Sequence, residues 1–206
     1  MAFFALLASS ALYFQPKKDL YLRLFPLFLL VVAVGMGVGG YLAAKAKPNL
    51  FIFNPLTILQ VCFYFFVLYR IIHNKAVKRI ALYLIILYPL VAGYNILFIQ
   101  KHTFHSMTYS LGGLLVVTLC VYYFLELFQS RRSTNLMRQP DFWICSGLLF
   151  YFTCTFPIYG LLNFLKQPSR FIISNINIIF GVLDGLLFTS FAIAFLCGLK
   201  TRKSLS

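Results

Sequence analysis

The sequence predicts an all-α protein: a polytopic bundle of about seven transmembrane helices that forms one integral membrane domain over residues 1–206. Hydrophobic residues make up 61% of the chain and charged residues only 11%, whereas a soluble domain carries about 25% charged residues. Apolar runs of about twenty residues recur along the chain, and each is long enough to cross a hydrocarbon core of ~30 Å. Runs such as 27–34 and 83–92 lack the alternation of a membrane β-barrel, so helices are expected.

Seven apolar runs give the expected spans. The first run is the shortest, because its residues, rising 1.5 Å each, reach only about 21 Å. It is expected to be a short helix that thins the bilayer, a half-inserted helix or an incomplete start, and it lacks the positive n-region of a cleaved signal peptide. The runs cover residues 1–14, 24–44, 51–69, 80–99, 106–128, 142–165 and 171–199.

Residues at the ends of the runs predict where several helices begin. Asn54 followed by Pro55 has the form of an N-cap with proline at the first helical position. Asp141 and Ser169 each follow a proline and are expected to cap the sixth and seventh spans. Two further prolines lie inside the fourth and sixth runs and are expected to kink those helices, which membrane bundles tolerate.

Basic residues predict the orientation of the bundle. The chain has 18 Lys and Arg against 4 acids, a net charge of +14. In a soluble protein this would indicate nucleic acid as a partner, but here the basic residues lie between the apolar runs. Thirteen of them fall in the odd-numbered connections and the C-terminal tail, and five in the even-numbered connections. The expected topology is an outside N-terminus and a cytoplasmic C-terminus, with contacts to the bilayer and its anionic headgroups on the cytoplasmic side and none to nucleic acid.

The residues needed for catalysis or metal binding are scarce. The five cysteines lie in apolar runs without CxxC spacing, so no metal or disulfide framework is expected. His102 and His105 have i, i+3 spacing but lack further ligands, and both are expected to be ordinary interfacial histidines. Glu126 is expected to reach from its helix end toward the arginines at 131 and 132. Because Glu126 and Asp184 differ in depth by roughly 10–15 Å, a carboxylate pair is not expected, and neither an enzyme nor a cofactor is predicted.

Small residues in two spans predict close helix packing. Gly35 and Gly39 in the second span, and Gly181 and Gly185 in the seventh, have small-xxx-small spacing. This spacing lets helix backbones approach closely. It fits ordinary packing inside the bundle, with a dimer face as the alternative.

Asp184 is the acid nearest the middle of a span, and insertion of an acid at that depth costs about 2.5–3.5 kcal/mol. It is expected to face the bundle interior together with Asn177, which precedes it by seven residues on nearly the same helix face. No basic residue lies at its depth, so a protonated, hydrogen-bonded carboxyl is expected. It is interpreted either as a polar clasp between helices or as a ligand-binding or proton site. Candidate partners from the midpoints of other spans are Gln60, Thr118, Thr153 and Thr155.

Three local features resemble a family of small, uncharacterised bacterial integral membrane proteins with seven spans. They are Asn54 in the third span, YNILFIQ at 94–100 and PDFWICSGLLFYF at 140–152. The resemblance implies a multi-pass protein of the bacterial inner (cytoplasmic) membrane and implies no particular reaction. Where such proteins carry an acid in the third span, this chain has Gln60. A looser similarity to the seven-helix sensory modules of bacterial kinases implies signalling.

The expected function is therefore that of a non-enzymatic sensory or regulatory partner of another membrane protein. The alternatives are a small-solute transporter with proton coupling at Asp184 and an intramembrane hydrolase, for which the chain holds few acids and histidines. A polar cavity that reaches Asp184 would favour transport. A dry, fully packed Asp184 would favour a structural part.

Overall fold

The computed structural model of the protein describes residues 20–101, 103–129, 136–164 and 170–200. These residues form helices and no strand, which confirms the all-α prediction for this part of the chain. Six segments in it are long and apolar enough to cross a membrane. The helices are α1 (Leu20–Ala44), α2 (Leu50–Ile71), α3 (Lys75–Tyr94), α4 (Ser106–Gln129), α5 (Pro140–Phe164) and α6 (Arg170–Lys200).

The six helices correspond to the second to seventh expected spans. A π-helical turn, Asn95–Ile99, extends α3, and a short 3-10 turn, Leu136–Arg138, precedes α5. The expected first span, residues 1–14, lies outside the described residues. The count of seven spans and the side of the membrane on which each terminus lies therefore stay predictions.

Successive helices pack side by side and run in opposite directions. Gly35 of α1 lies against Leu56 of α2, and Gly39 lies against Phe53, so later positions on α1 meet earlier positions on α2. A Cβ atom at Gly35 or Gly39 would approach those side chains to 2.9 or 2.7 Å, whereas one at Gly40 would meet nothing within 4 Å. The small residues at 35 and 39 thus serve packing inside the bundle. The expected close packing at Gly181 of α6 is wrong, because a Cβ atom there would meet nothing within 4 Å.

This alternation brings the ends of α1, α3 and α5 to the same face as the starts of α2, α4 and α6. We call this end of the bundle the Asn49 face, after the residue that precedes α2. The opposite end carries the starts of α1, α3 and α5.

The expected N-cap at Asn54 is wrong. α2 begins at Leu50, directly after Pro48 and Asn49, so that Asn54 and Pro55 lie in its second turn. A proline inside a helix removes one backbone hydrogen bond. Pro55 is the sixth residue of α2, so the missing N–H is the one that would bond the Phe51 carbonyl, and the helix nevertheless continues through it. The helix therefore begins after Pro48, about one turn earlier than expected.

Two acids fix helix ends at the face opposite the Asn49 face. Asp141 lies in the first turn of α5, not ahead of it, and the Tyr21 hydroxyl of α1 donates a hydrogen bond to it. Glu126 near the end of α4 accepts a hydrogen bond of 3.0 Å from the backbone N–H of His73, which follows α2. The expected arginine partners of Glu126 lie outside the described residues. Both acids therefore hold neighbouring helices together.

Four phenylalanines form a packed layer on the side of the core nearer this opposite face. Phe25 of α1 lies with its ring centroid 5.0 Å from that of Phe63 on α2, and 5.2 Å from those of Phe191 and Phe195 on α6. Phe25, Phe191 and Phe195 have no exposed surface. We call these four side chains the aromatic layer.

The outer faces of the helices are apolar. Large hydrophobic side chains lie exposed along them, among others Leu27, Leu30 and Val34 on α1 and Ile86, Leu87 and Leu90 on α3. Continuous apolar surface of this kind is rare on soluble monomers and is the surface that lipid tails cover. Together with the length of the six helices, it identifies a multi-pass membrane protein.

Candidate functional site

A cavity of about 460 Å³ lies inside the bundle, between the aromatic layer and the Asn49 face. Its volume falls within the roughly 300–1,000 Å³ of small-molecule sites. Residues of α1, α2, α4, α5 and α6 and of the segment before α4 line it. Its polar and aromatic lining residues are Phe53, Thr57, Gln60, Tyr64, Phe104, Tyr109, Tyr151, Tyr159, Asn177, Phe180, Asp184 and Phe188.

Asp184 supplies the acid of this cavity. It is half-buried on α6, and the Tyr151 hydroxyl of α5 lies within hydrogen-bonding reach of its carboxyl. The Tyr109 and Tyr151 hydroxyl oxygens are 3.5 Å apart, so Tyr109 continues the polar chain onto α4. The carboxyl also interacts electrostatically with Tyr64 and Tyr159. Four tyrosines from three helices thus line the cavity together with a single acid.

An aromatic wall lines the side of the cavity nearer the Asn49 face. Tyr159 is central to it: its ring stacks on Phe104 at 5.5 Å and on Phe180 at 5.0 Å, and meets Tyr109 edge-on at 5.0 Å. These distances and orientations are those at which aromatic pairs attract each other. The wall is therefore held in place by its own ring contacts, and it joins α4, α5 and α6.

The structure brings together three of the residues expected at the site. Gln60, Asn177 and Asp184 all line the cavity. Thr118 and Thr153 do not line it. Both side chains are exposed on outer helix faces, and the Thr118 hydroxyl donates to the Leu114 carbonyl of its own helix. The two threonines therefore lie on other faces of α4 and α5 than the residues that line the cavity.

Thr155, the remaining candidate partner, is fully buried, and its hydroxyl has no hydrogen-bond partner. It also is not among the residues that line the cavity.

A buried polar cluster around His105 lies beside the cavity. The His105 ring has no exposed surface, so the expectation of an ordinary interfacial histidine is wrong. Its Nε2 is 2.7 Å from the Thr57 hydroxyl and 3.2 Å from the Asn54 carbonyl, and its Nδ1 is 2.9 Å from the Thr108 hydroxyl. Because a carbonyl can only accept, the network assigns the ring proton to Nε2. Burial lowers the pKa of His105, so the neutral ring fits this site.

The cluster extends to the π-helical turn. The Asn95 amide donates to the Gln100 side-chain oxygen at 2.7 Å and to Thr108 at 3.2 Å. The Gln100 amide in turn donates to Ser106 at 3.3 Å. Thr57 belongs both to this cluster and to the cavity lining, and Phe104 of the segment before α4 lines the cavity directly.

Among the described residues, no group of three or more His, Cys, Asp or Glu side chains could hold a metal ion. Cys62, Cys120, Cys145, Cys154 and Cys197 are free thiols. The arrangement offers a carboxyl, amides, hydroxyls and aromatic faces, which are groups suited to binding a ligand.

Sequence reasoning missed the four tyrosines and His105. One pattern points to the α2 contribution: Thr57, Gln60 and Tyr64 have i, i+3, i+7 spacing and form a polar stripe in an otherwise apolar helix. No sequence pattern distinguishes the tyrosines of α4 and α5 that line the cavity, because the chain contains 13 tyrosines and most of them lie in apolar runs.

Comparison with known proteins adds one relative. No protein-family model and no solved structure matches the chain. A curated relative, the "Uncharacterized protein ycf33" of Guillardia theta, is 46% identical over 55 residues, which make up 27% of this chain and 78% of that protein. The name of this relative states no activity, so the cavity is the basis for proposing a function.

Proposed function

Because the chain belongs to the family of the uncharacterised protein ycf33, whose name assigns no activity, we propose a function from the cavity itself. The protein is a non-enzymatic, multi-pass membrane protein that binds a small solute between its helices. It acts as a sensory or regulatory partner of another membrane protein. The observation that carries this proposal is a cavity of about 460 Å³ in which one acid, two amides and four tyrosines converge.

The shape of the core supports a receptor. Tyr64 forms part of the cavity lining, and its ring lies 5.7 Å from Phe28 and 6.4 Å from Phe191. Beyond Tyr64 the aromatic layer fills the bundle, so a solute that enters the cavity meets packed side chains. A site that opens toward one half of the membrane and is closed toward the other suits detection.

Transport is the second candidate, and the cavity itself favours it. Asp184 lies in the cavity wall, where it could exchange a proton with a solute or with water. A carrier must also open a path on the other side of its site. In this protein that step would separate Phe25 from Phe191 and Phe195, which are in contact. The transport alternative therefore requires rearrangement of the aromatic layer.

The proposed location is the bacterial inner membrane, with the Asn49 face outside. The unequal distribution of basic residues supports this orientation. In that orientation the cavity lies in the outer half of the bilayer, where solutes from outside the cell reach it. The resemblance to bacterial seven-span proteins supports the choice of membrane.

A thermal-stability screen tests the proposal. The full chain in lipid nanodiscs is screened against amines, carboxylic acids, sugars and nucleosides, since a ligand that binds only the folded state raises the unfolding temperature. Gln60→Leu removes an amide from the cavity wall, and Thr118→Val is the matched control on an outer face. We expect a stabilising solute whose effect survives Thr118→Val and falls several-fold in Gln60→Leu.

The same solute separates the two candidates. Uptake of this solute is measured in proteoliposomes across which a proton gradient is imposed. A receptor should show no uptake, and a carrier should show sustained uptake. The absence of any stabilising solute, or equal effects in both variants, would contradict ligand binding in this cavity.

A further inference from the structure

The charge and the aromatic character of the cavity identify the class of solute that it fits. Resting on the solute-binding function proposed above, we infer that the ligand is a small organic amine, bound as its ammonium cation with the charged nitrogen at Asp184. Three features of the cavity support this ligand: the charge balance of its lining, the placement of its aromatic rings, and the polar groups that lie at a distance from the acid.

The cavity lining carries one acid and no compensating base. Among the described residues that line it there is no lysine, arginine or histidine. A carboxylate that is removed from water without a partner is costly, and a bound cation offsets that cost. None of the described basic residues lines the cavity. Without a ligand the Asp184 carboxyl is expected to be protonated, and an ammonium ligand supplies the positive charge that stabilises its ionised form.

The aromatic residues favour an organic cation over a metal ion. Tyr64, Tyr109, Tyr151 and Tyr159 line the same cavity as Asp184, and the faces of aromatic rings attract ammonium groups. Sodium or potassium would require several oxygen ligands in place of water. An ammonium group needs only the carboxylate and the ring faces, and its apolar body suits the phenylalanines of the lining.

The rest of the cavity gives the ligand a direction. With the nitrogen at Asp184 and Tyr151, the apolar body of the amine extends toward the wall formed by Phe104, Tyr159 and Phe180. The volume accommodates a ring joined to the nitrogen through a short chain. Gln60 and Asn177 are left to recognise a further polar group on that ring.

Matched pairs of amine and alcohol test the inference. Phenethylamine and tryptamine are cationic at neutral pH, and phenethyl alcohol and tryptophol are their neutral counterparts. Binding of each compound to the full chain in nanodiscs is measured by isothermal titration calorimetry and by the shift in unfolding temperature. We expect each amine to bind at least tenfold more tightly than its alcohol.

Three variants assign the preference to the carboxyl. Asp184→Asn keeps the shape of the side chain and removes its charge, so the amine should lose its advantage while the alcohol binds as before. Tyr151→Phe removes the hydroxyl near Asp184 and should weaken amine binding several-fold. Thr153→Val, an exposed position on the same helix, should change neither. If Asp184→Asn does not fold, Tyr151→Phe against Thr153→Val still decides.

Several outcomes would overturn the inference. Equal binding of amine and alcohol would refute the charge argument and leave solute binding intact. If the Asp184→Asn variant still prefers the amine over the alcohol, the cation binds elsewhere in the protein. Equal stabilisation by sodium chloride at the same concentration would assign the site to an inorganic cation. If no amine binds, the inference fails, and the broader solute screen then decides whether ligand binding fails with it.

Discussion

Substitution of His105 by leucine removes the centre of the buried polar cluster. Leucine has a similar volume but can neither donate nor accept a hydrogen bond. Three contacts are lost, to the Thr57 hydroxyl at 2.7 Å, the Thr108 hydroxyl at 2.9 Å and the Asn54 carbonyl at 3.2 Å. The ring contact with Phe104, at 5.0 Å between centroids, is lost as well.

The expected loss of stability follows from what the partners retain. The Thr57 hydroxyl can still donate to the Phe53 carbonyl, and Thr108 can still accept from Asn95. The partners are therefore not orphaned, and each lost bond counts at its net value of about 0.5–1.5 kcal/mol. Bonds between membrane helices average nearer 0.6 kcal/mol, so we expect His105→Leu to lower the free energy of unfolding by about 2–4 kcal/mol, with the ring contact included.

His73 provides the matched control. Its side chain is 84% exposed, and its Nδ1 lies 3.9 Å from the Glu126 carboxylate, a surface pair of small energetic weight. The bond of 3.0 Å to Glu126 is made by its backbone N–H, which a substitution keeps. His73→Leu should change the free energy of unfolding by less than about 0.5 kcal/mol. Both variants are compared with the parent by reversible unfolding in mixed micelles.

The pH dependence gives a second measurement. Burial lowers the pKa of His105, so below an ordinary pKa of about 6.5 the unfolded chain binds a proton that the folded chain does not. The stability of the parent should therefore fall as the pH drops below about 6.5. His105→Leu should lose this part of the dependence of stability on pH, and His73→Leu should keep it. Equal stability of parent and His105→Leu, with identical pH profiles, would refute the reasoning.

Two further predictions concern packing and topology. Gly39→Leu should destabilise the bundle by about 1–3 kcal/mol through overpacking against Phe53, whereas Gly40→Leu faces open space and should be nearly neutral; unfolding midpoints that fall equally would contradict the packing of α1 on α2. Reporter fusions after Leu199 should be cytoplasmic and fusions near Lys101 external, and the reverse pattern would place the cavity in the inner half of the membrane.

The helices could be predicted from the sequence because hydrocarbon thickness sets their length. Each run of about twenty apolar residues became a helix within a few residues of the expected ends. Helix starts were harder to predict from single residues. Asn54 and Pro55 carry a capping pattern, yet the helix begins at Leu50 and continues through Pro55, as membrane bundles allow.

The site could be predicted only in part, because these helices are apolar on all sides. A soluble helix shows its buried face through its polar face. In a membrane helix, depth can be read from position, but rotation cannot. Gln60 and Asn177 were found because they are rare polar residues at the right depth, and Thr118 was misplaced for the same reason. His105 looked interfacial because its neighbours in sequence are loop residues. Its burial arises from contacts with α2, distant in the chain.

The position of Thr57 gives ligand binding a route to the rest of the protein. Thr57 lines the cavity, and its hydroxyl contacts His105, which is bonded to Thr108 at the start of α4. A ligand that draws the Thr57 hydroxyl toward itself weakens the bond to His105, and the segment before α4 then loses one of its ties to α2. By linkage, a substitution that loosens the cluster must change ligand affinity by the same free energy as the ligand changes the cluster. His105→Leu should therefore alter solute affinity although His105 does not line the cavity. The proposed sensory function requires coupling of this kind between the buried site and another protein.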